Sequence, residues 1–289
     1  MNYLLHLATI FGLYLLLAYS LNLTVGYCGL LSFCHAAFYG VGAYTYALLA
    51  LNLHISFLGA VLCAALVTTG LGAAIAVPAL RFRGDLFVFV TIAYQIIVFT
   101  ILYNWIDFTG GPAGLDSIPR PELFGLKITS PGSYLALVIA TNLVVLPLMF
   151  ALYRSPFGLT LRALREDERA AMTIRISPVK RYVQAMAISA GVAAVPGALY
   201  ASYVTYIDPS SFTLQESIFQ VAILLLGGAG NRLGPLMGVT FLTMLPAGLR
   251  FLGLPDAVGA NVREILYGAL LVGLMYARPK GIAGEYEIR

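Results

Sequence analysis

The densest chemistry in the sequence lies in LTLRALREDERAAMTIRISPVKR, residues 159–181, where six charged side chains fall among the eight residues from Arg162 to Arg169. A cationic loop helix beside a membrane needs only to satisfy the positive-inside rule or attract anionic lipid, and for that Arg and Lys suffice. The acidic trio Glu166, Asp167 and Glu168 adds charge of the other sign, which favours docking into a protein groove.

Other chemistries find less support. A phosphate-cradling P-loop needs Gly-Lys followed by Ser or Thr, and the chain has no Gly-Lys pair. The run Gly227, Gly228, Gly230 and Gly234 interrupts apolar sequence and reads as a hinge or tight helix junction. Cys28, Cys34 and Cys63 lack metal-ligand spacing, and His6, His35 and His54 are scattered, so no metal site is expected. Neither G-x-S-x-G nor H-E-x-x-H occurs, and no catalytic residue is assigned. Ion-driven carriers hold an ionisable group within the membrane, whereas Asp85, Asp107, Asp208, Glu216, Asp256 and Glu264 fall at segment ends or in loops. Neutral polar groups do lie within apolar segments. Asn22, His35 and Gln95 are candidates for lining a solute path, with hydrogen-bond glue between helices as the other reading.

The elements that must position these residues belong to a bilayer. Hydrophobic residues make up 60% of the 289, and charged ones 10%, against about 45–50% and about 25% in soluble domains. Apolar segments at 3–23, 31–51, 56–80, 86–106, 132–153, 181–204, 216–227, 234–252 and 262–277 predict an all-α polytopic membrane protein with about eight or nine transmembrane helices. The chain reads as one transmembrane domain, 1–289. The first segment lacks a basic leader and is expected to remain as a span. Segment 216–227 is short for a crossing, and Gly, Cys, Ser and His in the stretch 22–38 predict a broken or re-entrant helix.

Arg81 and Arg83, seven basic residues from Arg154 to Arg181, Arg232, and Arg278 with Lys280 fall in alternate loops. This pattern places those loops and the carboxyl terminus in the cytoplasm and the amino terminus outside. It also explains the net charge of +4 without nucleic acid. Small residues recur at helical spacing in Ser32, Ala36, Gly40; in Ala60, Ala64, Thr68, Gly72, Ala76; and in Ala190, Ala194, Ala198, Ser202. Such stripes predict closely packed helix seams in lipid.

Residues 159–173 show helical periodicity, with Leu161, Leu164, Ala171 and Met172 on one side and Arg162, Arg165, Glu166 and Arg169 largely on the other. At about 1.5 Å per residue this helix is too short to cross a bilayer. It is expected at the cytoplasmic interface.

RALREDERAA at 162–171 resembles the cytoplasmic EAA-type coupling loop of ABC importer permeases, in the form of the branched-chain (hydrophobic) amino acid permease family, LivM-like branch. NLTVGYCGLLSFCHAAFYGVGAY at 22–44, TGGPAGL at 109–115, ISAGVAAVPGALYA at 188–201 and LGGAGNRLGPLMG at 226–238 extend the resemblance over most of the chain. It implies one of two homologous permease subunits in a bacterial-type inner membrane. Two cytoplasmic ATPase subunits would bind ATP and Mg, so this chain itself would hold no cofactor. A periplasmic or lipid-tethered binding protein would deliver solute. Arg162, Arg165, Glu166, Asp167, Glu168, Ala170 and Ala171 would form the ATPase-coupling helix. The implied activity is ATP-driven import of neutral or branched-chain amino acids by alternating access, which is transport and not enzyme catalysis. Urea, amides or another small organic solute are alternatives within the family, and an ion-coupled carrier or channel is the alternative class. Two positions depart from the family pattern. Arg175 stands where a helix-ending Gly is usual, with Ser177-Pro178 as another possible stop, and Pro196 interrupts the small-residue run.

Overall fold

The first apolar segment forms α1 (Asn2–Leu21), which continues directly into a π-helical turn, Asn22–Tyr27. These come from a computed structural model that describes residues 2–82, 84–123, 126–250, 268, 269 and 273. The wider turn is visible where the Cys28 N–H donates to the Leu23 carbonyl, five residues back, at 3.2 Å. Residues 28–34 are then non-helical, and α2 (His35–Asn52) begins. The expected break is therefore present but narrower than 22–38.

Starting a helix inside a bundle leaves its first N–H groups without intrahelical acceptors, and water is not there to take them. Side chains from α4 (Asp85–Asn104) and α10 (Leu214–Gly227) do so instead. Phe33 N–H donates to Thr91 Oγ1 at 3.1 Å, Ala36 N–H to Ser217 Oγ at 2.9 Å, and Ala37 N–H to Gln95 Oε1 at 2.7 Å.

Helix α9 (Pro178–Val204) is central, and α2 and α3 (Phe57–Ala79) pack against it. All three predicted stripes are buried, including Ala60, Ala64, Thr68, Ala76, Ala190, Ala194, Ala198 and Ser202 at 0% exposure. The seams are close. A Cβ on Gly42 would lie 2.4 Å from Ala194 Cα, and one on Gly72 would lie 2.5 Å from Ala190 Cβ. Helix α9 runs through Pro196 as one element.

Helix α5 (Ile106–Thr109) and a two-residue ladder, β1 (Glu122–Leu123) with β2 (Leu126–Lys127), occupy the loop after α4. This loop reaches the far end of α9 through the Leu115–Ile207 bridge. Helix α6 (Pro131–Arg154) packs on α1 at the periphery, with only 11% of its apolar window buried against 78% for α9. Short helices α7 (Pro156–Glu166) and α8 (Glu168–Thr173) connect α6 to α9, and α10 joins α11 (Gly234–Arg250). The Gly-rich run is a tight helix junction. A Cβ on Gly227 would meet Gly234 O at 1.9 Å, and Gly228 and Gly230 adopt positive φ.

Six helical stretches among the described residues are long and apolar enough to cross a membrane: Tyr3–Tyr27, Phe57–Ala79, Asp85–Asn104, Pro131–Arg154, Pro178–Val204 and Pro209–Gly227. The protein is thus helical and polytopic, with fewer qualifying spans than the eight or nine expected. Helix α2 and the 17-residue α11 fall outside the six. Segment 216–227 begins earlier than expected, because a 3-10 turn at Pro209–Phe212 leads into α10. The expected segment 262–277 and the basic carboxyl-terminal pair Arg278 and Lys280 lie outside the described residues, apart from 268, 269 and 273.

Candidate functional site

The charged stretch is two helices, not the single helix expected over 159–173. Helix α7 (Pro156–Glu166) starts at Ser155, whose side chain accepts from Gly158 N–H, with Pro156 at the first helical position. It stops because Asp167 is extended, at φ −151° and ψ 102°. The same Asp167 caps α8 (Glu168–Thr173), accepting from Ala170 N–H at 3.0 Å. A residue read as an interaction charge is therefore also a helix start.

Arg175 resolves how α8 ends. It adopts φ 63°; its N–H donates to Met172 O at 3.0 Å, and Ile176 N–H donates to Ala171 O at 3.2 Å. These two bonds form a Schellman cap, with Arg in the left-handed position that Gly normally holds.

The split changes which side chains point inward. Leu161, Leu164 and Ala171 are buried as expected, but Met172 is 45% exposed. Arg162 and Arg165 do not face away from the bundle. The Arg162 guanidinium donates to the Tyr27 hydroxyl at 3.0 Å and lies 4.6 Å from the Tyr27 ring centroid. Arg165 donates through Nη1 to the Gly26 carbonyl. Both arginines thereby hold the π-turn that ends α1, where local geometry frees backbone groups for such partners.

The anchorage extends further. Tyr27 stacks on Tyr153 at 4.2 Å, the Tyr153 hydroxyl donates to Tyr19 O at 2.5 Å, and the Tyr19 hydroxyl donates to Arg232 O at 2.6 Å. Asn22 clamps the same loop: its Nδ2 donates to Asn231 O at 3.1 Å, and its Oδ1 accepts Gly230 N–H at 2.9 Å. Helix α7, the end of α1 and the α10–α11 junction are thus joined by polar and aromatic contacts. Glu166, Asp167, Arg169 and Ala170 remain exposed on the outer face, alongside exposed Leu159, Met172, Ile174 and Val179. Glu168 is half-buried and lines a cavity of about 240 Å3 with Asp85 and Tyr182.

The three polar residues singled out within the spans are all buried. His35 and Gln95 converge on the start of α2, while Asn22 lies apart at the α10–α11 junction. His35 Nε2 is 2.7 Å from Ser20 Oγ. Gln95 makes three contacts: Oε1 accepts from Ala37 N–H and, at 3.1 Å, from Ser217 Oγ, and Nε2 donates to Phe212 O at 2.8 Å. Glu216, expected at a segment end, lies in the first turn of α10 and lines a tyrosine-rich cavity. Its sequence neighbourhood carries little signal, because apart from Phe219 the surrounding rings come from α1, α2 and α9.

Membrane-length helices on small-residue seams, with a charged amphipathic segment latched to one end of the first span, define a polytopic helical membrane protein. The chain belongs to the family described as branched-chain amino acid transport system / permease component, which matches residues 3–275. It is 33% identical to the high-affinity branched-chain amino acid transport system permease protein LivM of Salmonella typhimurium, and equally to that of Escherichia coli. Each alignment covers 96% of this chain and 69% of the relative. A probable LivM of Methanocaldococcus jannaschii is 26% identical over 96% of this chain and 92% of its own length. The autoinducer 2 import system permease protein LsrC of Salmonella typhi is 26% identical over 60% of this chain and 47% of its own. No solved structure matches the chain significantly.

Proposed function

We propose that this chain is the membrane-spanning permease subunit of an ABC importer that moves branched-chain and other neutral amino acids across the inner membrane by ATP-driven alternating access. The observation that carries this reading is the alignment with LivM proteins over 96% of the chain. A homologous permease, two cytoplasmic ATPase subunits holding ATP and Mg, and a periplasmic or tethered binding protein complete the assembly.

In this assembly the outer face of α7 and α8, with Glu166, Asp167, Glu168 and Ala170, meets the ATPase, and the buried Ala171 seats α8 against the bundle beneath that face. Arg162 and Arg165 pass the ATPase movement to the π-turn of α1. This division of roles is supported by the exposure of Glu166, Asp167 and Ala170 and by the inward bonds of the two arginines. Asn22, His35 and Gln95 stand at helix junctions that shift as access alternates, so they border the path.

Nine crossings follow if α2, α11 and segment 262–277 join the six longer spans, and eight if one of the three does not cross. At about 1.5 Å per residue α2 reaches about 27 Å, close to the hydrocarbon thickness. The amino terminus lies outside: His6 meets Tyr203 at the end of α9 opposite α7, with Nδ1 2.8 Å from the hydroxyl. The test is reconstitution of the assembly in liposomes with radiolabelled leucine. Uptake should require ATP and loaded binding protein, and uptake by this chain alone would refute the importer. A different small organic solute is the second reading, favoured by the similarity to the LsrC permease.

A further inference from the structure

At the end of the bundle opposite α7, a cavity of about 450 Å3 opens between α1, α2, α9 and α10. Its size suits a small organic solute. Two aromatic pairs line it: Tyr14 with Phe219, ring centroids 5.5 Å apart, and Tyr39 with Tyr200, 5.7 Å apart. Glu216 supplies the carboxylate on the same wall. Gln220 Nε2 donates to Glu216 Oε1 at 3.1 Å, and the Tyr14 side chain also hydrogen-bonds it. The Gln220 Oε1 is buried without a partner. No Lys, Arg or His side chain pairs with Glu216 among the described residues. A partly buried carboxylate in the first turn of an apolar helix favours a compensating charge. Aromatic faces and a carboxylate together recognise a cation, and their combination with a roomy cavity, whose other lining includes the polar Ser210, Ser211 and Thr213, suits an organic one with both apolar and polar parts.

We propose that Glu216 and the rings of Tyr14, Tyr39, Tyr200 and Phe219 form a binding site for the primary ammonium group of a small amphipathic solute. The chemistry of the site stands independently, and only the assignment of that solute as an amino acid rests on the permease reading above. A lipid bearing a primary amine offers the same group, so the source must be separated by experiment.

The full chain in phosphatidylglycerol nanodiscs is titrated calorimetrically with L-leucinamide, which keeps the ammonium and lacks the carboxylate, and with 4-methylpentanoate, which keeps the carboxylate and lacks the ammonium. Leucinamide should bind and 4-methylpentanoate should not. Glu216→Gln should raise the leucinamide Kd by about tenfold or more. Tyr200→Leu should weaken binding, and Tyr200→Phe, which keeps the aromatic face, should not. This second pair carries the test if Glu216→Gln fails to fold. Exchanging phosphatidylglycerol for phosphatidylethanolamine distinguishes the sources: competition with leucinamide assigns a lipid headgroup, and its absence assigns a soluble amine. Absence of leucinamide binding, equal binding of 4-methylpentanoate, or unaltered binding by folded Glu216→Gln overturns the site. Leucine uptake by the assembled transporter is scored separately, so failed uptake with intact leucinamide binding removes the amino acid permease reading and leaves the site standing.

Discussion

The Arg162 guanidinium is bonded to the hydroxyl of Tyr27 and also lies 4.6 Å from the centre of its ring, so α7 is fastened to the π-turn at the end of α1. A cation over an aromatic face contributes about 0.5–2 kcal/mol, depending on how far it is desolvated. Arg162→Ala and Tyr27→Ala should each lower leucine transported per ATP hydrolysed in the reconstituted assembly. Their double mutant should lose less than the sum of the two, while Tyr27→Phe should retain most coupling because the ring face survives. Strict additivity would show that the pair is not the link.

Gln95 should be intolerant of apolar replacement. Gln95→Leu leaves Ala37 N–H and Phe212 O without their side-chain partner in the interior, at about 1–3 kcal/mol for each buried group. Thermal unfolding in detergent should report a clear loss of stability. Gln95→Glu keeps the acceptor for Ala37 and should fall between.

Arg175 offers a gain. A non-Gly residue held at φ 63° carries a left-handed strain of about 1–2 kcal/mol that Gly avoids. Arg175→Gly should therefore stabilise the end of α8, read as slower amide exchange at Arg175 and Ile176 N–H. Arg175→Val should accelerate that exchange, since a β-branched side chain tolerates the left-handed region worst.

Two glycines of α3 should respond in opposite ways. A Cβ at Gly72 meets Ala190 at 2.5 Å, whereas one at Gly70 meets nothing within 4 Å. Gly72→Leu should push α3 from α9 and cost about 1–3 kcal/mol or more through overpacking. Gly70→Ala should stabilise by about 0.5–1 kcal/mol through backbone entropy. Paired melting curves in the same detergent decide it.

The small-residue stripes were legible because a close seam needs small side chains on its own helix, whichever partner arrives. The break after α1 was legible in part: Gly26, Cys28, Gly29 and Ser32 weaken a helix locally, but nothing local says that six residues would first continue as a π-turn. Asp167 shows the same limit. Apolar periodicity ran across it, yet its strength as a helix cap prevailed and turned Met172 outward. Arg162 and Arg165 looked solvent-facing because their acceptors, Tyr27 and Gly26, lie more than a hundred residues earlier in the chain.

Hydropathy, segment length and loop charge are summed along the chain, so the sequence by itself determined a helical membrane protein with one charged interfacial segment. Which polar atoms meet depends on how α1, α2, α9 and α10 cross, and only the tertiary structure decided that. Packing joined Arg162 to Tyr27, made Gln95 the cap of α2, and set Glu216 beside rings drawn from four helices. A buried polar group must find its partner wherever packing brings one, and distance along the chain does not enter that requirement.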